Sequence, residues 1–349
     1  MLRLIHMTQE RLIDKKRDVR RGEKVMLSCI VPCYNEEDVL ELFYQEITNE
    51  LNGMEYEIIL VDDGSRDRTL EIIMELANHD ERIKYVSFSR NFGKESAMLA
   101  GMKMSGGDYV AILDADLQHP PSKIKEMIQA LEEGYDVAAT RRVNRNGEAK
   151  LKSYLSNKFY KVINRIIDIE IKEGAQDFRI MKRYVVESII NMPEYHRFSK
   201  GIFSWVGFKT KWFEQGNVER PAGESKWSLI KLTKYAIDGI VAFSTVPLKI
   251  SLVVGCITSM LGFIYAIYFI IKTLLFGNDV PGYPSLMAGG LIIGGLILLS
   301  IGILGEYIAR IYIEVKNRPI YIIKMTNIKP QVKGHNLEEK EGDILNEAS

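Results

Sequence analysis

Cysteine is scarce in this chain. Cys29, Cys33 and Cys256 are the only three in 349 residues, an odd number with no Cys-x-x-Cys spacing. That pattern excludes a disulfide framework and a structural zinc site, and it suits a reducing, cytoplasm-facing compartment. Net charge is missing as well: 46 Lys and Arg balance 46 Asp and Glu, so the charge balance gives no case for a nucleic-acid partner. Neither Gly-x-Gly-x-x-Gly nor a P-loop occurs, and dinucleotide binding and P-loop hydrolysis lose their main support. No signal peptide is expected. Residues 1–25 form a basic tail containing KKRDVRR, and Met26, just before the first strand, is an alternative start. From Lys333 onward the chain is polar and is expected to be disordered.

What is present is hydrophobic residue in quantity, 46% against 26% charged, enough for a large core. The mean hydropathy of -0.06 averages two unlike parts that divide near residue 246. Between Lys249 and Lys272 lie 22 residues without a charge, and between Asp279 and Glu306 lie 26 more. Each run can cross a bilayer, which takes roughly 20 apolar residues. Their short link, Thr273–Pro284, makes them an antiparallel hairpin. Lys231, Lys234 and Lys249 precede the first span, and Arg310, Lys316, Arg318 and Lys324 follow the second. The positive-inside rule therefore puts both ends in the cytoplasm and the link outside. Gly290-x-x-x-Gly294, beside Gly289 and Gly295, offers a close-packing face for the other span or for another subunit.

Ahead of the hairpin, strands and helices alternate. Met26–Pro32 is an apolar run that suits a buried parallel strand. A helix follows with Leu40, Phe43, Ile47 and Leu51 on one face. Strands are expected at Glu57–Val61, Lys84–Phe88, Tyr109–Leu113 and Asp136–Thr140, and helices at Thr69–Asn78, Lys94–Ser105 and Ser122–Glu133. This alternation predicts an α/β layered sheet with its ligands at the carboxyl ends of the strands. The polar clusters lie there: Asp62 and Asp63 after the second strand, Asp114 and Asp116 after the fourth. Two carboxylates at i and i+2 can serve one hard divalent cation and leave positions open for phosphate oxygens.

Three segments, Val31-Pro32-Cys33-Tyr34-Asn35-Glu36, Val61-Asp62-Asp63-Gly64-Ser65-x-Asp67-x-Thr69 and Asp114-Ala115-Asp116-Leu117-Gln118-His119-Pro120-Pro121, resemble the signature of family 2 inverting glycosyltransferases. Arg90-Asn91-Phe92-Gly93-Lys94, Gln176-Asp177-Phe178-Arg179 and Arg220-x-x-Gly223-x-Ser225-Lys226 narrow the likeness to the polyprenyl-phosphate branch. That branch includes dolichol-phosphate mannose synthases and bactoprenol glucosyltransferases. The resemblance runs from about Met26 to Arg318. It implies an α/β, Rossmann-like GT-A catalytic domain over 26–245 and a two-helix transmembrane hairpin over 246–312. A cytoplasmic carboxyl-terminal segment over 313–349 completes the division.

The resemblance also implies roles. Pro32, Tyr34 and Glu36 would hold the base and ribose, with Val61 and Asp63 continuing that pocket. Asp114, Ala115 and Asp116 would face the diphosphate, and Asp114, Asp116 and Gln118 would hold Mg²⁺ or Mn²⁺. Arg141, or Arg142 beside it, matches an arginine on the donor, while Arg220 and Lys226 flank a turn that closes over the phosphates. Asp177 is the candidate catalytic carboxylate beside Asp116, and Arg179 the candidate for the acceptor phosphate. A polyprenyl phosphate is already anionic, so the enzyme needs chiefly to align it and stabilise the leaving group.

Residues 153–167 and 228–243 form basic amphipathic patterns. Core packing and interfacial placement stand equally for the first; the second leads into the first span and is expected at the interface. His119 shapes the turn before Pro120 rather than binding metal. Trp205, Trp212 and Trp227 fit either a core or an interface. A processive polysaccharide synthase would carry Gln-x-x-Arg-Trp, but the chain has no Arg-Trp pair. A sensor or scaffold would have lost a motif carboxylate, and all are present. The expected protein is a membrane-bound transferase that moves one sugar, with UDP-glucose the leading donor, to undecaprenyl phosphate for cell-envelope use. It would sit in the inner membrane as a homo-oligomer such as a tetramer, with a separate flippase acting downstream.

Overall fold

A computed structural model of the chain describes residues 25–118, 120–142, 164, 170–192, 194–216, 240–276 and 282–328. The amino-terminal tail before Val25, His119, Arg220, Lys226, Trp227, the 153–167 helix apart from Asn164, residues 228–239 and the tail from Lys333 lie outside the described residues.

The predicted alternation is present as β1 (Met26–Cys33), α1 (Leu40–Glu50), β2 (Glu55–Asp62), α2 (Thr69–His79), β3 (Ile83–Phe88), α3 (Lys94–Met104), β4 (Tyr109–Ile112), α4 (Lys123–Glu132) and β5 (Val137–Arg142). The series does not stop at Thr140 as the pattern suggested. It continues through β6 (Ala175–Lys182), α5 (Arg183–Ile190), α6 (Ser199–Trp205) and β7 (Thr210–Gln215). After the apolar helices α7 (Val246–Phe276) and α8 (Tyr283–Val315), the chain adds β8 (Ile323–Thr326). All eight strands join one sheet in the order β7-β5-β6-β4-β1-β2-β3-β8. The neighbours in β4-β1-β2-β3 are parallel, whereas β6 runs antiparallel to both β4 and β5, and β8 antiparallel to β3.

Two apolar layers cover the sheet. Side chains alternate across a strand, so Leu27, Cys29, Val31 and Cys33 face one side and Ile30 the other. The first side packs on α1, α2 and α4 through Phe43, Ile47, Ile73 and Met127; the second packs on α3, α5 and α6 through Met98, Met102, Val186 and Ile202. Glu57 is an acid enclosed in the middle of β2. It accepts hydrogen bonds from Ser28 Oγ (2.6 Å) and Gly106 N–H (2.7 Å) and pairs with the Lys84 ammonium. Burial opposes its charge, yet these partners hold the carboxyl below its ordinary value.

The two long helices expose apolar surface among the described residues; Leu252 and Phe263 are 67% and 68% exposed. Both are long and apolar enough to cross a membrane. Among the described residues, a Cβ at Gly289, Gly290, Gly294 or Gly295 would meet nothing within 4 Å.

Beyond α8 the chain returns to the sheet, which a polar tail pattern did not announce. Tyr321 stacks on Phe88 with ring centroids 5.0 Å apart. The Asn327 amide accepts from Tyr85 N–H (2.8 Å) and donates to Ile83 O (3.1 Å), closing the exposed edge of β3. Asn327→Ala removes both bonds and should lower stability by about 1 kcal/mol. A fall in the thermal midpoint of the detergent-solubilised protein checks this; an unchanged midpoint would show that β8 does not hold the edge.

Candidate active site

The site grows out of the carboxyl ends of β1, β2 and β4. Asp62, the last residue of β2, is enclosed and accepts from Ser65 N–H (2.9 Å) and Ser87 Oγ (2.7 Å). Asp63, only 3% exposed, accepts from Phe92 N–H (2.6 Å) and Gly93 N–H (2.9 Å). Burial and the neighbouring Asp62 charge push its carboxyl up to about 6 against those bonds. The turn that follows them needs glycine. Gly64 has φ +68°, and a Cβ there would lie 2.5 Å from the Arg90 carbonyl carbon. The Asp-Asp-Gly turn therefore clamps the Arg90–Lys94 loop at two points, and that loop launches α3.

Lys94, the first residue of α3, projects into the centre. Its ammonium lies 2.6 Å from Asp114 Oδ1 and 2.6 Å from Asp177 Oδ2. The antiparallel register explains the meeting. Ile112 on β4 is opposite Arg179 on β6, so two residues further along, Asp114 is level with Asp177. Burial would lower the lysine's pKa, but the two carboxylates raise it above its ordinary value. Burial likewise opposes the Asp177 charge, and Lys94 overrides it, holding that carboxyl low.

Arg179 is 3% exposed and fixed by its own strand: Nε donates to Asp177 O (3.3 Å) and Nη2 to Gln176 O (2.8 Å). Its guanidinium lies 3.5 Å over the Phe203 ring of α6. Burial lowers it to about 10, which still leaves it protonated at neutral pH. Glu95 joins these elements from the other side. Its carboxylate accepts from Ser199 N–H (3.1 Å) and Ser199 Oγ, binding α3 to the start of α6. Burial, assisted by the Asp177 charge, pushes this carboxyl up to about 7.

The remaining expected residues divide. Asp116 is buried and accepts from Gln118 N–H (3.1 Å), and Leu117 between them has φ +54°, a conformation that costs a non-glycine residue energy. Pro32, Tyr34 and Glu36 are half-buried where β1 ends; Asn35 N–H bonds Ser65 Oγ (3.1 Å) and Glu36 N–H bonds Thr69 Oγ1 (2.8 Å), lacing this loop to the one after β2. Val61 and Ala115 are enclosed in the two core layers, where they pack rather than line an open surface. Arg141 was expected just past its strand. It lies inside β5 because the β7 ladder extends to Arg142, and it pairs with Glu214 on β7.

Asp114, Asp116 and Gln118 offer hard oxygen donors that suit Mg²⁺ or Mn²⁺. Among the described residues no group of three or more His, Cys, Asp or Glu gathers to hold a metal, so ligand phosphate and water would complete the shell. Sequence reasoning quoted Lys94 without a role and missed Glu95. An acid in the first turn of a helix is common, and no local pattern points to Ser199, 104 residues away.

This sheet, with its carboxylates gathered at the strand ends, is the GT-A form of a glycosyltransferase. Comparison with known proteins agrees. The model of glycosyl transferase family 2 matches residues 28–190, and that of the GtrB C-terminal hairpin matches 246–311. The putative glycosyltransferase CsbB of Bacillus subtilis is 44% identical over 87% of this chain and 92% of its own length. The SfII prophage-derived bactoprenol glucosyl transferase of Shigella flexneri is 45% identical over 86% and 98%. A glucosyl-3-phosphoglycerate synthase from Mycobacterium tuberculosis, solved with Mn²⁺ and UDP, covers 64% of this chain and 83% of its own at 16% identity and TM-score 0.44, too distant to bear on function. The chain belongs to the family 2 glycosyltransferases and carries the GtrB-type hairpin.

Two outcomes follow from the central ion pairs. Lys94→Met leaves Asp114 and Asp177 as neighbouring like charges and should cut turnover on the order of 10²-fold; unchanged turnover would remove Lys94 from the machinery. Glu95 binds its proton more tightly folded than unfolded, so its contribution to stability is present below pH 4.5 and is lost as pH rises to about 7. Thermal midpoints of Glu95→Gln should lack the decline that the native protein shows across that window, and parallel profiles would contradict the assignment.

Proposed function

We propose that this protein is a membrane-anchored, inverting transferase that moves one sugar from a nucleoside diphosphate donor to a polyprenyl phosphate. UDP-glucose and undecaprenyl phosphate are the leading pair. The observation that carries the reading is the Lys94-bridged pair Asp114–Asp177, lying beside Arg179 in a chain that also holds two membrane-length apolar helices. Relatives named as bactoprenol glucosyl transferases support the acceptor.

In this reading the donor's base and ribose lie against Pro32, Tyr34 and Glu36, and Asp63 fixes the adjoining loop. Asp114, Asp116 and Gln118 would hold Mg²⁺ or Mn²⁺, which when bound neutralises charge on the departing nucleoside diphosphate. An acceptor phosphate oxygen bonds to the anomeric carbon from the face opposite the leaving group. The bond from that carbon to the diphosphate breaks, and the nucleoside diphosphate leaves with the electron pair. Because the attacking oxygen is already anionic, Asp177 needs only to orient groups in the site, and its pairing with Lys94 keeps it ionised for that task. Arg179 supplies positive charge for the acceptor. Arg220, Lys226 and Arg141 are proposed for the donor phosphates, the last after release from Glu214. The catalytic domain and both termini face the cytoplasm in the inner membrane, the protein forms a homo-oligomer, and a separate flippase carries the product across.

Purified enzyme in detergent, given undecaprenyl phosphate and labelled UDP- and GDP-sugars, tests this. A lipid-linked product is expected with Mn²⁺ or Mg²⁺ but not with chelator. Asp116→Asn should abolish it while keeping the fold, since asparagine Oδ1 can still accept from Gln118 N–H. The absence of lipid product from every donor would overturn the proposal.

A further inference from the structure

A cavity of about 260 Å³ opens beside Arg179, between α6 and the β6, β5, β7 end of the sheet. Its composition is unusual for a gap in a core. Arg179, Lys200 and Lys172 bring positive charge, and Phe203, Phe208 and Trp212 bring three half-buried aromatic faces. Glu170 at the rim pairs with Lys172 at 3.5 Å. Cations beside aromatic faces suit a ligand that carries an anion next to an apolar segment.

The two kinds of lining are coupled at one point, where the Arg179 guanidinium stacks on Phe203 at 3.5 Å. Two backbone carbonyls hold its Nε and Nη2, and among the described residues Nη1 has no hydrogen-bond partner. Lys200 is close enough to Asp177 to favour that residue's charge, so the cationic end of the cavity adjoins the Lys94–Asp177 pair. A ligand here would be an amphiphile with an anionic head at the Arg179–Lys200 end and a short unsaturated apolar segment against the rings.

Its surroundings favour a lipid. On the far side of α6, Gly201 packs so closely on Phe243 that a Cβ would lie 2.4 Å from the ring, and Phe243 precedes α7 by three residues. Tyr195 N–H, in the segment leading into α6, donates to Glu314 Oε1 (2.8 Å) near the end of α8. The charge-free part of α8 ends at Glu306, eight residues earlier, so Glu314 stands about 12 Å further out at 1.5 Å per residue. An acceptor phosphate reaching this level must draw its first tail carbons out of the hydrocarbon, and those carbons need an apolar host.

We propose that this cavity is the head subsite for the lipid acceptor, an inference resting on the reading above. The phosphate lies between Arg179 and Lys200, and the first isoprene unit lies against Phe203, Phe208 and Trp212. The volume falls below the roughly 300–1,000 Å³ of pockets that enclose drug-sized ligands, so the cavity takes the head and leaves the remaining chain to the membrane.

The test uses the full-length enzyme in detergent, with the KM for undecaprenyl phosphate and for the nucleotide sugar measured separately. Trp212→Ala and Phe208→Leu should each raise the acceptor KM on the order of tenfold, with the donor KM unchanged. Lys200→Gln should do the same. A farnesyl phosphate bearing a photoreactive group near its first isoprene unit should crosslink to α6 or β7 in the native enzyme, a readout independent of turnover. Unaltered acceptor KM in all three variants, or crosslinking elsewhere, overturns the subsite while native lipid-linked product keeps the function. If the native enzyme makes no lipid-linked product, the function falls and the subsite with it.

Discussion

The Lys94 ammonium is the constraint on which the rest of the site depends. Asp114 opens one motif and Asp177 is the second residue of another, and two carboxylates meeting at the edge of a core would repel each other without a cation between them. Lys94 can serve both because its backbone cannot drift. Asp63 ties the two amides ahead of it, Gly64 presses on the loop's own backbone, and Gly93 takes the positive φ (+96°) from which α3 starts. Four segments far apart in the chain thus form one object: the Asp-Asp-Gly turn fixes the loop, the loop fixes the lysine, and the lysine fixes the two acids. The side chains at its centre keep appreciable access, 40% for Lys94 and 22% for Asp177, so the cluster is held in place yet open to a ligand.

Strand direction does the other half of the work. In a wholly parallel sheet every strand would present its last residues at the ligand-binding end. β6 runs the opposite way between β4 and β5, so its early residues arrive there. Asp177 and Arg179 are two apart on β6 and share a face. Phe178 between them turns to the other side and fills the layer formed by α1, α2 and α4. One strand thereby secures itself in one apolar layer while placing an acid and a base in the site on the other face. Glu95 and Ser199 repeat the same economy between helices, since a single carboxylate stops two bonding groups at the start of α6 and keeps Phe203 over Arg179.

The parallel half of the fold was legible because its strands are buried on both faces and so appear as unbroken apolar runs such as Ile58–Val61. The helices between them show their apolar faces plainly, as Leu40, Phe43, Ile47 and Leu51 do. β6 and β7 are different. Gln176-Asp177-Phe178-Arg179 and Thr210-Lys211-Trp212-Phe213 mix polar and apolar residues because one face of each serves the site or its cavity, and local pattern cannot distinguish that from a loop. β8 was hidden for another reason: an edge strand needs few apolar residues when its neighbour supplies the ladder. Within the site, the identities of Asp114, Asp116, Asp177 and Arg179 could be read from the motifs. That Lys94 joins two of them could not, because the meeting depends on the β4–β6 register, and register is a property of two strands together.

The attachment of the hairpin follows the same physics. A domain joined to its two apolar helices by one covalent link could pivot, and every contact across the junction would then have to overcome that freedom. Here the junction is closed at several heights. Tyr307 Oη donates to Ser244 O (2.6 Å) where the two helices meet the domain, Glu314 accepts from Tyr195 N–H further out, and β8 ends on the far edge of the sheet. Because β8 follows α8 in the chain, its pairing with β3 turns the link from α8 into a loop fixed at both ends, and closing a short loop costs little once one end is already held. The strand it joins is β3, whose exit carries Phe88 and then the Arg90–Lys94 loop. Tyr321, stacked on Phe88, therefore connects the chain leaving α8 to the segment that positions Lys94, and the apolar hairpin and the charge cluster share a frame rather than merely a chain.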